Sequence, residues 1–399
     1  MNAPLRRNQC PTLADPIQTG DGLLARLNPV AAGLTRQSLV GIGEAALRHG
    51  NGLIEVTARG SLQIRGLTPR SSALLAAEVG ALGIEVREGV PVDISPLAGL
   101  DAAERTDPEP VAQAIRSAIA AAGLSARLGP KVSVVVDALG AIDLSDMLAD
   151  IRLTAVADGW LLAIAGDGRS ARVLGWAKAN DAVIAAVSLL ETIASRGRPA
   201  RARDLSADEL PAMLRPCATA ALPTPDRVEL SRTILALGSG QFAARTALPF
   251  GKVHARDLIG FISDVDATDV RLAPHHSLLL LCGARACADA ALAVARKHGF
   301  VVDADDPRRA VSACAGAPSC ASAYIPARQI GALVAGRLPG SIHVSGCAKG
   351  CAHPSPADFV LTGTATGLAI IRNGRAGDAP QAVVGGLEAA LSLLQGQGA

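Results

Sequence analysis

The chain has 399 residues, with 38 Lys and Arg against 36 Asp and Glu, and 49% of it is hydrophobic while only 2% is aromatic. Length predicts two or three domains and the apolar fraction excludes a mainly disordered protein; a net charge of +2 with so few rings leaves no footprint for nucleic acid. The longest apolar stretch, Leu278 to Ala295, is broken by Arg285 and Asp289, and no apolar leader follows Arg6 and Arg7, so no transmembrane helix is expected and the cytoplasm is the expected compartment.

In chain order the first elements are a strand at Leu23 to Leu27, a helix beginning near Leu34, a strand over Leu53 to Ile64 and a helix over Ser71 to Leu82. Gly41-Ile-Gly43-Glu-Ala-Ala46 imitates a dinucleotide-binding loop, but it lies inside an amphipathic pattern and is read as helix. An α/β unit follows. Residues 196–216, with Arg196, Arg198, Pro199, Arg201 and Arg203 and no sustained apolar pattern, read as a connection. Beyond it the order recurs: a strand at Phe242 to Thr246, a helix from His254, a strand over Asp269 to Leu280, a helix over Ala286 to His298 and a second α/β unit.

The repetition extends to single residues. Leu24-Ala25-Arg26 answers Ala243-Ala244-Arg245, and Leu39-Val40-Gly41-Ile42 answers Leu258-Ile259-Gly260-Phe261, both at an offset of 219. Glu55 to Ile64 answers Arg271 to Leu280 at 216, and Asp150 to Gly159 answers Asp358 to Gly367 at 208. The chain is therefore expected to be an internally duplicated α/β (α+β) protein. Its parts are a ferredoxin-like half-domain at 15–83, an α/β domain at 84–195, the linker at 196–216, a second half-domain at 217–300 and a second α/β domain at 301–399. A pseudo-twofold pair of this kind places a site at the seam, where the two copies supply different residues to one ligand.

Eight cysteines are too sparse for a disulfide scaffold in a chain this long. Cys314 and Cys320 form C-x5-C, and Cys347 and Cys351 form C-x3-C after an interval of 26 residues. Gly316, Pro318, Gly346, Gly350 and Pro354 make both pairs loop-like, so that backbone N–H groups can face sulfur. Four thiolates can complete a 4Fe-4S cluster; structural zinc, which favours C-x2-C or C-x4-C loops, or inert thiols are the alternatives. The first copy carries no cysteine there: Val136-Asp137-Ala-Leu-Gly140-Ala141 is aligned with Gly346-Cys347-Ala-Lys-Gly350-Cys351. Cys282 and Cys287 are expected to be buried thiols, and Cys10 and Cys217 isolated and inert.

With these cluster loops and the duplicated half-domains, the chain resembles the nitrite and sulfite reductase superfamily. Within it, GDGLLARL (Gly20 to Leu27), SPLAGLD (Ser95 to Asp101), ACAGAPSCASA (Ala313 to Ala323) and HVSGCAKGCAHP (His343 to Pro354) resemble the precorrin-3B synthase family, and the resemblance runs from about Cys10 to Val384. It implies a nitrite/sulfite reductase-like fold and an oxygen-dependent monooxygenase of aerobic cobalamin (vitamin B12) biosynthesis. The substrate would be precorrin-3A, hydroxylated at carbon 20 with closure of a γ-lactone. The implied cofactors are a 4Fe-4S cluster and a mononuclear non-heme iron, with electrons from NAD(P)H through a reductase or ferredoxin. The alternatives are a siroheme-dependent assimilatory sulfite or nitrite reductase and an iron-sulfur electron-transfer subunit. Siroheme and precorrin-3A share a rim of carboxylates, so one pocket can hold either.

Carboxylates call for Arg and Lys. Arg59, in Thr57-Ala-Arg59-Gly-Ser-Leu-Gln63, matches the reductases' T-x-R-x-x-x-Q strand, whose arginine faces the tetrapyrrole. Lys131 matches the first of their two anion-binding lysines; Ser133 replaces the second, and Val90 replaces a further arginine although Arg87 lies close by. These losses fit a bulkier organic substrate better than a small oxyanion. Arg26 and Arg245, related by the repeat, are candidate carboxylate clamps, Lys349 is a candidate catalytic or cluster-facing group, and Arg65 is a weaker candidate. His275 and His276 replace the arginine position in the second copy. His343 and His353, with Asp358 beyond them, are candidate ligands of the non-heme iron, since histidine and carboxylate are its usual donors.

Overall fold

The computed structural model describes residues 10–206, 214–215, 232–238, 240–353 and 355–396. Cys217 lies outside them, as does part of the expected linker. The first copy contributes strands β1 (Ile17–Thr19), β2 (Gly22–Leu27), β3 (Leu53–Val56) and β4 (Leu62–Leu67), then β5 (Val92–Asp93), β6 (Val134–Asp137), β7 (Ala149–Val156), β8 (Gly159–Gly166) and β9 (Arg172–Ala177). The second contributes β10 (Ile234–Ala236), β11 (Phe242–Ala247), β12 (Lys252–His254), β13 (Asp269–Ala273) and β14 (Ser277–Cys282). It ends with β15 (Val311–Ala313), β16 (Ile342–Ser345), β17 (Ala357–Thr364), β18 (Gly367–Gly374) and β19 (Ala382–Val384).

Four sheets result, in the orders β1-β2-β4-β3-β12, β10-β11-β14-β13, β5-β6-β7-β8-β9 and β15-β16-β17-β18-β19. The last two share a plan of two parallel pairings followed by antiparallel ones, which is the duplication seen as topology. Strand β12 crosses over to complete the first copy's sheet, pairing with β3.

The helix Arg36–His49 starts where the Thr35 side chain accepts from Ser38 N at 3.0 Å, and it buries Leu39, Ile42, Ala45 and Ala46. It packs on its repeat mate, the helix Ala255–Asp264: a Cβ on Gly43 would stand 2.7 Å from Ile259 Cγ1. Close helix contact, not nucleotide binding, therefore accounts for Gly43. The helix Pro69–Ala81 begins with a reciprocal cap between Thr68 and Ser71. Among the described residues no helix is long and apolar enough to cross a membrane.

Two expectations are corrected. The stretches Leu53 to Ile64 and Asp269 to Leu280 are not single strands but hairpins, β3-β4 and β13-β14, so each half-domain gains a strand. The chain turns at Thr57, which accepts from Gly60 N at 3.0 Å, and at His275 and His276, both with positive φ. The two tips meet: His275 N donates to Ala58 O at 2.9 Å, and His276 Nδ1 lies 2.6 Å from Val56 O. Second, the alignment of the first copy with the C-x3-C loop shifts by two. β6 meets β7 with Asp137 opposite Thr154, and β16 meets β17 with Ser345 opposite Thr362, so the offset is 208 and Asp137 matches Ser345, not Cys347.

Candidate functional site

Strands β15 and β16 run parallel with Ala313 opposite Val344, so their ends release both cysteine pairs at one edge of the sheet. Gly346 N donates to Cys314 Sγ at 3.1 Å. A Cβ at Gly346 would stand 2.7 Å from Ala323 Cβ, so glycine is what lets the two loops close. Burial pushes the Cys314 thiol up; the N–H groups of Gly346 and Gly316 oppose this, and Cys320 and Cys347 reinforce it. Burial likewise raises Cys351, with Cys347, Cys314 and Cys320 adding to it and Lys349 working against it. Burial and the neighbouring sulfurs thus both disfavour the thiolates of Cys314 and Cys351, a cost that cationic iron relieves. This donor set, with backbone N–H aimed at sulfur, fits a 4Fe-4S cluster.

The C-x5-C loop is fastened to the first copy. Ser319 O accepts from Gly20 N at 3.2 Å and from Arg65 Nη2 at 2.7 Å. Arg65, buried on β4, grips Asp21 with Nε and Nη2 at 3.0 and 2.8 Å and stands 3.6 Å from Glu55. Burial alone would push Asp21 up, yet the bonds from Arg65 and Thr19 outweigh it and hold this carboxyl at about 2. Glu55 in turn accepts from Arg328 Nη1 at 2.5 Å, on the helix Ala327–Val334 just beyond the cluster loop. With its amide oriented to satisfy its neighbours, Gln63 donates to Glu55 Oε2 at 3.0 Å and accepts from Arg26 Nε and Nη2 at 3.0 and 2.8 Å. One face of this sheet thereby carries Arg26, Gln63, Glu55 and Arg65 toward the cysteine loops. Burial opposes the charge on Arg26, and Cys10, expected to be isolated, lies close enough to favour that charge.

The other expected residues are spread around the seams. Arg59 sits in the β3-β4 turn, not on a strand, with Nε and Nη2 on Asp93 Oδ2 at 3.2 and 2.5 Å and Nη1 on Leu148 O at 2.7 Å. It ties the half-domain to the first α/β domain and keeps a third of its side chain exposed. Arg245 is buried with Nε 3.4 Å from Ser277 Oγ and no ion pair among the described residues. Burial, then repulsion from Arg309, depresses it to about 10. Lys131 is exposed before β6. Lys349, also exposed, donates to Ser322 Oγ at 3.1 Å. Cys282 is buried and pushed up to about 12 by that burial and by Cys287, whose thiol donates to Asp266 O at 2.7 Å.

The iron ligands expected at His343, His353 and Asp358 do not come together. The two rings lie near each other, 5.7 Å between centroids, but Asp358 is turned to the surface, where it accepts from Ser341 N and Oγ at 2.7 and 2.8 Å. Among the described residues no three His, Cys, Asp or Glu side chains are placed around a single ion. Asp358 therefore does not join the two histidines in one donor set. His343 is fully buried, and burial followed by the neighbouring His353 lowers it to about 4.

Sequence reasoning underrated Arg65 and passed over Asp21, Glu55 and Arg328. The Gly20-Asp21-Gly22 string was the signal available, but the partner loop lies some 250 residues away in sequence.

Residues 15–82 match the nitrite/sulfite reductase ferredoxin-like half domain family. Among solved structures the chain is similar to the Mycobacterium tuberculosis NirA protein, with a TM-score of 0.71 at 17% identity, covering 87% of this chain and 74% of that one. The fold is accordingly that of the nitrite and sulfite reductases, duplicated half-domains included. A curated precorrin-3B synthase from Sinorhizobium sp is 38% identical over 407 residues, covering 98% of this chain and 89% of the relative. The chain belongs to the precorrin-3B synthase family.

Proposed function

We propose that the protein is a cytoplasmic monooxygenase acting on precorrin-3A, a carboxylate-rich tetrapyrrole. One atom of dioxygen enters carbon 20, the other leaves as water, and two electrons come from NAD(P)H through a reductase or ferredoxin. The acetate of ring A then closes the γ-lactone. The observation that carries this reading is the fastening at Ser319, which joins the cysteine loops to the sheet face bearing Arg26 and Arg65.

A 4Fe-4S cluster held by Cys314, Cys320, Cys347 and Cys351 would supply single electrons beside the bound macrocycle. The chain's own groups do the positioning. Arg26 offers a guanidinium already oriented by Gln63, Arg59 keeps a third of its side chain open between the half-domain and the first α/β domain, and Arg245 is buried without a carboxylate partner among the described residues. Such cations fix a rim of carboxylates bidentately, which holds the reacting edge in place. Lys131 and Lys349, both exposed, are further candidate point charges for the macrocycle's carboxylates. A cavity of about 150 Å³ behind the cluster loop, lined by Asp21, Lys252, Ser319 and Arg328 among others, is too small for a macrocycle.

The test is the absorption spectrum of anaerobically purified protein and of its acid-acetone extract, followed by an oxygen-dependent assay with precorrin-3A. An iron-sulfur band, no extractable macrocycle and product that gains one oxygen atom are expected. Extractable siroheme with sulfite or nitrite reduction would replace this reading by the reductase.

A further inference from the structure

At the offset of 208, His343 of β16 takes the place of Val135 of β6. Val135 belongs to an apolar core that joins the first α/β domain to the sheet of β11 and β14, in company with Leu97, Leu279 and Leu281. The second copy puts an imidazole in that place. It has no exposed surface, and neither Nδ1 nor Nε2 has a hydrogen-bond partner among the described residues. A neutral imidazole carries one donor and one acceptor nitrogen, and buried polar groups are very rarely left unmatched.

What covers the ring is the C-x3-C loop. A Cβ built on Gly350 would stand 3.6 Å from His343 Cε1, and the His353 ring meets it edge-on at 5.7 Å. Two residues along the same strand, Ser345 Oγ donates to Cys347 O at 2.6 Å, so this face of β16 addresses the cysteine loop. The apolar cluster on that face of the sheet, Ala357, Val360, Ile371 and Ala376, offers the ring no side-chain acceptor.

We propose that, when the cluster is bound, His343 donates its ring N–H to a cluster sulfide on the Cys347 and Cys351 side and so raises the cluster's reduction potential. The inference rests on the reading of the four cysteines as cluster ligands. Hydrogen bonds to sulfur favour the reduced, more negatively charged state. His343 is thus a positioning residue for cluster charge and not an iron ligand.

The experiment compares full-length wild type, His343→Leu and His343→Gln, purified anaerobically. Iron and sulfide are measured first, and the cluster is then titrated by EPR-monitored potentiometry. The expected result is four irons and four sulfides in each protein and a lower potential in His343→Leu. That fall should be worth about a tenfold change in the oxidised-to-reduced ratio, 59 mV for one electron, with most of it restored by the amide of His343→Gln. A potential unchanged in His343→Leu overturns the inference while leaving the cluster reading intact. Wild type without four irons and four sulfides overturns both, and it does so before any titration. If His343→Leu fails to hold its cluster, pulsed EPR of ¹⁵N-histidine-labelled His353→Ala, in which His343 is the histidine left against the cysteine loop, decides. A histidine nitrogen coupled to the reduced cluster supports the bond, and its absence overturns it.

Discussion

The two α/β domains share a ladder register and differ in what closes the edge of the sheet. Matching β15 to β5, and β16 to β6, sets Ser95, Asp101, Leu139 and Asp143 where the second copy has Cys314, Cys320, Cys347 and Cys351. In the first copy carboxylates and a guanidinium do the closing. Asp101 accepts from Ala141 N at 2.6 Å and Ala103 N at 2.9 Å. Arg152, fully buried on β7, reaches Asp137 at 3.3 Å and the carbonyls of Leu144 and Met147 at 2.9 and 2.6 Å. Behind them the seam with β11 and β14 is apolar and filled. In the second copy the same edge holds thiols and an unmatched imidazole, and it meets the first copy's polar sheet face around Arg65. A duplicated scaffold can give up a cofactor when other groups satisfy the loops that held it, because buried loop groups left unmatched are costly.

Substitutions can break this contrast at graded strengths. The largest effect is expected from Cys347→Ser: loss of cluster iron and sulfide and of detectable turnover, read by metal analysis and assay. Arg65→Met comes next. It leaves half-buried Asp21 without its cation while Glu55 keeps Arg328, so a loss of up to about 3–5 kcal/mol in denaturant unfolding is expected, together with reduced iron content because Ser319 is released. Arg152→Met sharpens the comparison, since a loss of about the same size is expected from the stranded Asp137, yet with full iron content. Iron loss in Arg152→Met equal to that in Arg65→Met would contradict the division of labour.

The smallest effect concerns Glu104, next to Asp101. Burial, opposed by Gly99 N–H and reinforced by Asp101, raises it to about 7 from an unfolded value of 4.5. Its Oε1 has no partner among the described residues. The folded state therefore holds a proton that the unfolded state releases, and stability falls as pH rises from about 4.5 through about 7. Glu104→Gln should remove that slope, worth about 1–2 kcal/mol across the interval once the roughly 3 kcal/mol of a fully buried group is reduced for its solvent exposure, as read from urea midpoints at several pH values. A slope unchanged by the substitution would assign the titration elsewhere.

The duplication and the cysteine loops were legible because both are written locally, as strings at fixed offsets and as spacing within a loop. The hairpins were not. Their turns are short, and in the first copy polar-apolar alternation continues through the turn; in the second copy the positive φ angles fall on His275 and His276, not on glycine. Matching Gly140 to Gly350 by residue type slid the first copy by two, an error only a hydrogen-bonded ladder can expose. Arg65 was undervalued because its meaning depends on Ser319 and Asp21, one of them on another domain. Asp358 was overvalued for the opposite reason: it is close to His353 in sequence but its carboxylate serves Ser341. Sequence proximity served well for cysteines that share a loop and poorly for groups that meet across sheets.

The most direct test of the asymmetry is anomalous diffraction at the iron edge from crystals of the anaerobically purified protein. One compact iron peak amid Cys314, Cys320, Cys347 and Cys351, with none near Asp101 and Asp137, is the predicted result. Iron beside the first copy's carboxylates, or no iron among the four cysteines, would contradict the account.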